Sequence, residues 1–207
     1  IPPSLVNIYQ ELEMSSRFVD THRDVSQGGD GVQLHSHTFY EMIYCTGGST
    51  QYLLGTQRYR LRHGDIVLIP PGVSHRPLLA EKMADPYRRC VVFSQEYVES
   101  VRPMWPELLK NQRFGVLRTA NTRWEGMAKL FEAGCGEAAR GAPGWQAVVC
   151  ATTLELLVNI ARALDEARDA GFLIYGAAFG EGSLDAFTTR LHTPALLVLG
   201  NEEHGIR

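Results

Sequence analysis

The sequence predicts a mainly β fold, an antiparallel sandwich or barrel, followed by a helical region and a short α/β-like tail. Three observations predict it. Between residues 30 and 95, short runs rich in β-branched and aromatic residues alternate with turns that contain glycine or proline. From 96 to 170 the apolar residues recur at helical spacing instead. From 171 to 207 a glycine-rich stretch leads to one more apolar run, "ALLVLG".

The strands come first. "YEMIYC" runs into the turn "TGGS". "TQYLL" and "RYRLR" flank "GTQ", a hairpin with a glycine in its loop. After the turn "HGD", "IVLIP" is an unbroken apolar run, as expected of a strand buried on both faces. "PPGVSH" ends it, and "RRCVVFS" is a further strand. Ser94 then opens the helical stretch "SQEYVESV". Asn121 is the predicted N-cap of a helix over "NTRWEGMAKLFEAGCGEAAR". Pro143 and Gly171 bracket a long third helix. Its stripe of Val149, Leu156, Ile160 and Ala163, with Leu157 and Leu164 beside it, suits packing on the barrel or pairing with a second copy.

Bulk composition narrows the class. The 207 residues are 44% hydrophobic and 21% charged, enough for a sizeable core in a globular protein. A formal net charge of -3 gives no overall attraction to nucleic acid or anionic lipid. The start "IPPSLVNIYQ" lacks the features of a signal peptide. The apolar stretch from Trp145 to Leu164 is broken by Glu155, Asn159 and Arg162, so no membrane span is expected. Cys45, Cys90, Cys135 and Cys150 form no C-x-x-C pair and read as free thiols of a cytoplasmic protein.

The chemistry concentrates in "HSHTFYE". His35, His37 and Glu41 fall within seven positions. All three are odd-numbered, so an unbroken strand would show them on one face. Yet His37 and Glu41 would then stand about 13 Å apart, whereas ligands sit about 2 Å from an ion. The chain must therefore turn or bulge within "TFY" if they are to meet. His75, after the turn "PPGVS", reaches them only if the sheet folds back. Three histidines and one carboxylate could hold Zn, Fe, Mn or Ni with positions left open. Equally, the four could hydrogen-bond a ligand or one another. Tyr40, Tyr44 and Tyr52 could stack on a sugar, although tyrosine in a β barrel is more often core. Arg88 and Arg89 suit a solvated strand edge, His63 an exposed turn, and Cys45 a small buried hydrophobe. No Ser-His-Asp order, P-loop or G-x-G-x-x-G stands out.

The spacing resembles the cupin family. Gly29, His35, His37, Glu41 and Gly48 match its first motif, G-x5-H-x-H-x(3,4)-E-x6-G, in full. Gly64, Pro70, Gly72 and His75 match the second, G-x5-P-x-G-x2-H-x3-N, with Leu79 in place of the final Asn. From about Val32 to Phe93, "LHSHTFYEMIYCTGG" and "YRLRHGDIVLIPPGVSHRP" resemble the sensor domain of AraC-type bacterial transcription regulators. The resemblance implies a double-stranded β-helix (jelly-roll) barrel over 29–95, an N-terminal arm over 1–28 and a helical dimerisation region over 96–170. It implies a small-molecule effector, often a sugar, contacting His35, His37, Tyr40, Glu41, Tyr52 and His75. No cofactor is required; a divalent metal, if held, would sit on His35, His37, Glu41 and His75. Nothing after Ala170 reads as the helix-turn-helix pair of such regulators, so specific DNA binding is expected only through a domain absent from this sequence.

The tail over 171–207 resembles part of the SpoU-type RNA 2′-O-methyltransferases. Leu199, Gly200, Asn201 and Glu202 match a segment of that family's S-adenosylmethionine site. The family's motif with the catalytic Arg is not found upstream. The expected function is thus effector sensing and dimerisation for an AraC-type regulator, without catalysis. A metal-dependent cupin enzyme, a dioxygenase or sugar isomerase, is the alternative. A methyltransferase fragment is the third.

Overall fold

The computed structural model describes residues 13–24, 33–47, 50–78, 88–109, 115–170, 173–177 and 195–199. Strand β2 (Tyr40–Cys45) lies at the middle of the architecture. It pairs on one side with β5 (Asp65–Ile69) and on the other with β7 (Arg88–Phe93), both antiparallel. β1 (Val19–Asp24) adds beyond β7, and β8 (Val116–Arg118) beyond β5. The result is a five-stranded sheet of order β1-β7-β2-β5-β8. A second sheet holds β4 (Gln57–Leu61), β3 (Thr50–Leu54) and β6 (His75–Leu78), in that order.

The two antiparallel sheets pack as a sandwich because each strand alternates its side chains. Ile43, Cys45, Val67, Ile69 and Cys90 from the large sheet meet Tyr52, Leu54 and Leu61 from the small one in one buried cluster. The opposite face of the large sheet, with Met42, Tyr44, Leu68, Val91 and Phe93, is covered by helices. That explains why β5 is buried at every position: both of its faces are covered.

Three helices form this cover. α1 (Gln95–Val101) is capped as expected, with Ser94 Oγ accepting from the Tyr97 N–H at 3.0 Å. α2 (Met127–Arg140) starts later than predicted. Asn121 adopts a left-handed conformation, φ 60°, in a run of turns, and the N-cap is Gly126. The side chain of Thr122 takes the local role instead, its Oγ1 accepting from the Trp124 N–H. α3 (Trp145–Asp169) buries Val149, Leu156, Leu157, Ile160 and Ala163, the expected stripe. By length and composition Trp145–Ala167 would also suffice to cross a bilayer, contrary to the reading that its polar residues forbid it. Here its buried stripe belongs to the core beneath the large sheet.

The borders differ from expectation in two places. Val19–Asp24, assigned to an arm, is a strand paired with β7 along its whole length. Val116–Arg118, inside the expected helical region, is a strand on the other edge. Both add to strands whose outer edges would otherwise carry unpaired backbone groups. In the tail, β9 (Leu173–Ala177) and β10 (Ala195–Leu199) pair in parallel. Gly200, Asn201 and Glu202 lie outside the described residues, as do Gly29, Gly48 and Leu79.

Candidate functional site

The site forms where the two sheets face each other. Glu41 sits on β2, opposite Ile69 on one side and Val92 on the other. His75 opens β6 in the small sheet, opposite Leu54. His37 comes from the segment before β2. The bend at Thr38–Phe39 supplies the turn that the spacing demanded. Two further devices hold the histidines. His35 and His75 exchange backbone hydrogen bonds at 3.2 and 2.9 Å, placing the HxH segment along β6. Gly72, at φ 80°, donates its N–H to the His37 carbonyl at 2.9 Å, so the second motif's glycine anchors the first motif's histidine.

His37, Glu41 and His75 converge, their candidate ligand atoms within 4.8 Å of one another. Glu41 Oε2 stands 3.3 Å from His37 Nε2 and 3.1 Å from His75 Nε2. Both histidine side chains are almost wholly buried. Their tautomers follow from their backbone partners. His37 Nδ1 lies 2.7 Å from the Phe39 carbonyl, and His75 Nδ1 2.8 Å from the Val73 carbonyl. A carbonyl only accepts, so each Nδ1 carries the proton and donates. In the neutral rings each Nε2 then presents a lone pair towards a carboxylate.

Something positive must reconcile these three acceptors. One proton can serve the His37–Glu41 contact, which has hydrogen-bond geometry. His75 Nε2 is buried and makes no hydrogen bond of acceptable geometry despite its nearness to Glu41. Burial acts to raise the Glu41 pKa, but the imidazoles of His37 and His75 outweigh it and hold the carboxyl well below its usual range. That lowering requires a proton or a cation between Glu41 and the Nε2 atoms, since two bare lone pairs would act the other way. The donor set, two imidazole nitrogens and a carboxylate with Nδ1–H groups fixed by carbonyls, suits a divalent cation.

The remaining predicted residues divide. His35 stands beside the group, its ring centroid 4.4 Å from that of His75, but outside the three converging atoms. Its Nδ1 donates to the Gln33 carbonyl, and burial lowers its pKa. Tyr52 lies inside the sandwich, its ring near-parallel to His75 at 6.3 Å. Tyr40 points the other way. Its ring stacks on Phe93 and its hydroxyl donates to Gln95 Oε1 at 3.1 Å. The alternation on β2 accounts for this, since Tyr40 is even-numbered and Glu41 odd. Cys45 faces the sandwich interior, and burial pushes its thiol up to about 11. All four cysteines are free. Arg89 pairs with Glu132 on α2.

Two residues were missed. Phe39 lies flat on His37, 4.0 Å between centroids and 5° from parallel, and fixes the ring's plane. Tyr59, packed against the sandwich core, has a buried hydroxyl without a hydrogen-bond partner, and burial pushes its pKa up to about 12. The pairing of Tyr59 with Tyr52 across the "GTQ" hairpin was the signal available for it.

A sandwich of two antiparallel sheets, a His/Glu cluster between them and helices behind define a cupin-like ligand-binding domain. The chain matches the model of the AraC-like ligand binding domain over residues 23–141, more than half its length, and belongs to that family. The match ends before the tail and lends no support to its methyltransferase resemblance. No curated protein is a match to this sequence. Among solved structures, a Cupin 2 conserved barrel domain protein from Salinispora arenicola is 17% identical, over 42% of this chain and 67% of its own, with a TM-score of 0.28. Protein NMB1881 from Neisseria meningitidis is 15% identical, over 44% and 91%, at 0.30. A variant oxalate decarboxylase from Bacillus subtilis is 14% identical, over 41% and 31%, at 0.26. Likenesses at these scores bear on neither activity nor ligand.

Proposed function

We propose that this domain senses a small molecule between its sheets and passes the binding event to a dimer interface of an AraC-type regulator. The site would be His37, Glu41 and His75 around a divalent ion (Zn, Fe, Mn or Ni), with His35, Tyr52 and Tyr59 around the effector. The observation that carries the site is the buried His75 Nε2, which has no hydrogen-bond partner of acceptable geometry and lies 3.1 Å from the Glu41 carboxyl. A bound ion would supply a Lewis-acidic anchor for an oxygen atom of the effector. The protein residues do the rest. Nδ1–H donation to the Phe39 and Val73 carbonyls orients the imidazoles, and Phe39 fixes the His37 ring.

Transmission follows from the architecture. The site takes Glu41 from the large sheet and His75 from the small one. An effector that binds one spacing of the sheets better than another shifts their equilibrium. The large sheet's far face carries the helices, so that shift reaches α2 and α3. A homodimer through α3 suits its outward face, where Val148 is 42% exposed. Sequence-specific DNA binding would belong to another domain of the regulator, and the cytoplasm is its compartment.

The second reading is a metal-dependent cupin enzyme, favoured by one observation: three protein ligands leave coordination positions open. Metal analysis of the purified protein, with oxygen uptake measured alongside, separates the two. Stoichiometric ion without oxygen consumption fits the sensor. Turnover with oxygen uptake overturns it.

A further inference from the structure

The outer face of the small sheet carries a segregated positive charge. From Thr50 to Leu78 the sequence contains one carboxylate, Asp65, against Arg58, Arg60, Arg62 and Arg76. Asp65 is buried and belongs to the other sheet, where it faces Arg118. Tyr52, Leu54 and Leu61 point into the sandwich, so alternation turns Arg58, Arg60 and Arg76 outwards. Pairing then sets them in rows. Leu53 lies between Arg58 and Arg76, and Gln51 lies beside Arg60. Arg58 and Arg60 repeat at about 6.7 Å along β4, and Arg76 stands two strands away, roughly 9.6 Å.

These three arginines differ from most of the described ones. Arg17, Arg23, Arg89, Arg118, Arg123 and Arg140 each face a carboxylate. Among the described residues, Arg58, Arg60 and Arg76 face none. Arg76 Nε is moreover buried without a hydrogen-bond partner. An unmatched row of guanidinium groups on a chain of net charge -3 concentrates its attraction for anions on one face.

We propose that this face docks against the phosphate backbone of duplex DNA, holding the sensor alongside the DNA its regulator occupies. The proposal rests on the regulator reading for its setting, but not on the metal or the effector. Guanidinium forks suit phosphate oxygens. Among the described residues the face offers Leu53 and Leu78, only half buried, and no aromatic ring outwards, which favours neither a side-chain pocket nor base stacking. Contact would therefore be electrostatic and independent of sequence, which is how phosphates are read.

The test uses the 207-residue chain, a fluorescent duplex of arbitrary sequence and a polyglutamate peptide of matched charge, titrated by anisotropy across a salt series with chelator present. The expected result is weak duplex binding at low salt that falls with log[salt]. Arg58→Gln, Arg60→Gln and Arg76→Gln together should flatten the slope by roughly 2 to 3 and weaken binding about tenfold or more. Arg123→Gln with Arg140→Gln, on the helical side, should leave the slope unchanged. If the triple variant does not fold, the exposed pair Arg58→Gln and Arg60→Gln should flatten it by roughly 1 to 2. No duplex binding, an unchanged slope in the folded variants, or binding of polyglutamate alone would each overturn the proposal. Because chelator is present throughout, a failure here leaves the metal-site reading untouched, and a failed metal analysis leaves this one untouched.

Discussion

The two sheets are built from the same period-two grammar and put it to different uses. The large sheet is buried on both faces, by the small sheet on one side and by the helices on the other. The small sheet is buried on one face and turns arginines outwards on the other. The large sheet contributes the carboxylate, while the small sheet and its bordering segment contribute the histidines. The difference sets the carboxylate on the doubly covered layer and the histidines along the singly covered one. Glu41 is fixed by pairing on both edges of its strand, and the histidines ride on the thinner layer.

The largest effect that would break this comparison lies in the large sheet. Phe93→Ala removes a fully buried ring against Tyr40 and Tyr97, and urea unfolding should show a loss of about 3–5 kcal/mol. Leu53→Ala, on the outer face of the small sheet, should cost under about 1 kcal/mol in the same assay. Equal losses would mean that the two layers are not differently supported.

The next effect tests how the large sheet's helices are tied together. The Tyr97 hydroxyl donates to the Cys150 carbonyl at 2.6 Å, joining α1 to α3. Tyr97→Phe should lower stability by about 1 kcal/mol. Glu132 then receives Arg23 of β1 and Arg89 of β7, fastening α2 to two strands. These groups are partly exposed, so Glu132→Gln should cost only about 0.2–1 kcal/mol per pair, less at high salt.

The smallest effect depends on pH. Asp20 of β1 accepts from the Ser15 and Ser16 N–H groups. Burial acts to raise its pKa, and those N–H groups outweigh it, so the folded value lies below the unfolded one. Its contribution is therefore present above about pH 3.9 and lost as pH falls through the folded value. The stability gap between the protein and Asp20→Asn should close on acidification below about pH 4. A gap that stays constant from pH 7 to pH 3 would show that the carboxylate's charge is not what the loop uses.

Much of the site was legible because strand periodicity and ligand chemistry are local. "YEMIYC" and "TQYLL" are strands over the stretches read from sequence. The turn required within "TFY" is there, and His75 returns to Glu41. Tyr40 falls outside the cluster because its even parity on β2 turns it to the helical face, away from Glu41. Asn121 failed as a cap because an asparagine tolerates left-handed turns as readily as it caps. β1 and β8 were not legible at all. Their pairing partners, β7 and β5, lie 70 and 49 residues away at the Thr21–Val91 and Val67–Val116 pairs, and only the folded sheet shows which edges needed covering.

One measurement bears most directly on the cluster between the sheets. Metal content of the purified chain would be read by mass spectrometry, with thermal melting in Zn, Mn, Ni or Fe(II) and in chelator. One ion per chain is expected, with a melting temperature raised by roughly 5–10 °C at ion concentrations near 100 Kd. Glu41→Gln and His75→Gln should each abolish both the ion and the shift. A chain that purifies without metal and melts at the same temperature in all four ions and in chelator would contradict the metal centre.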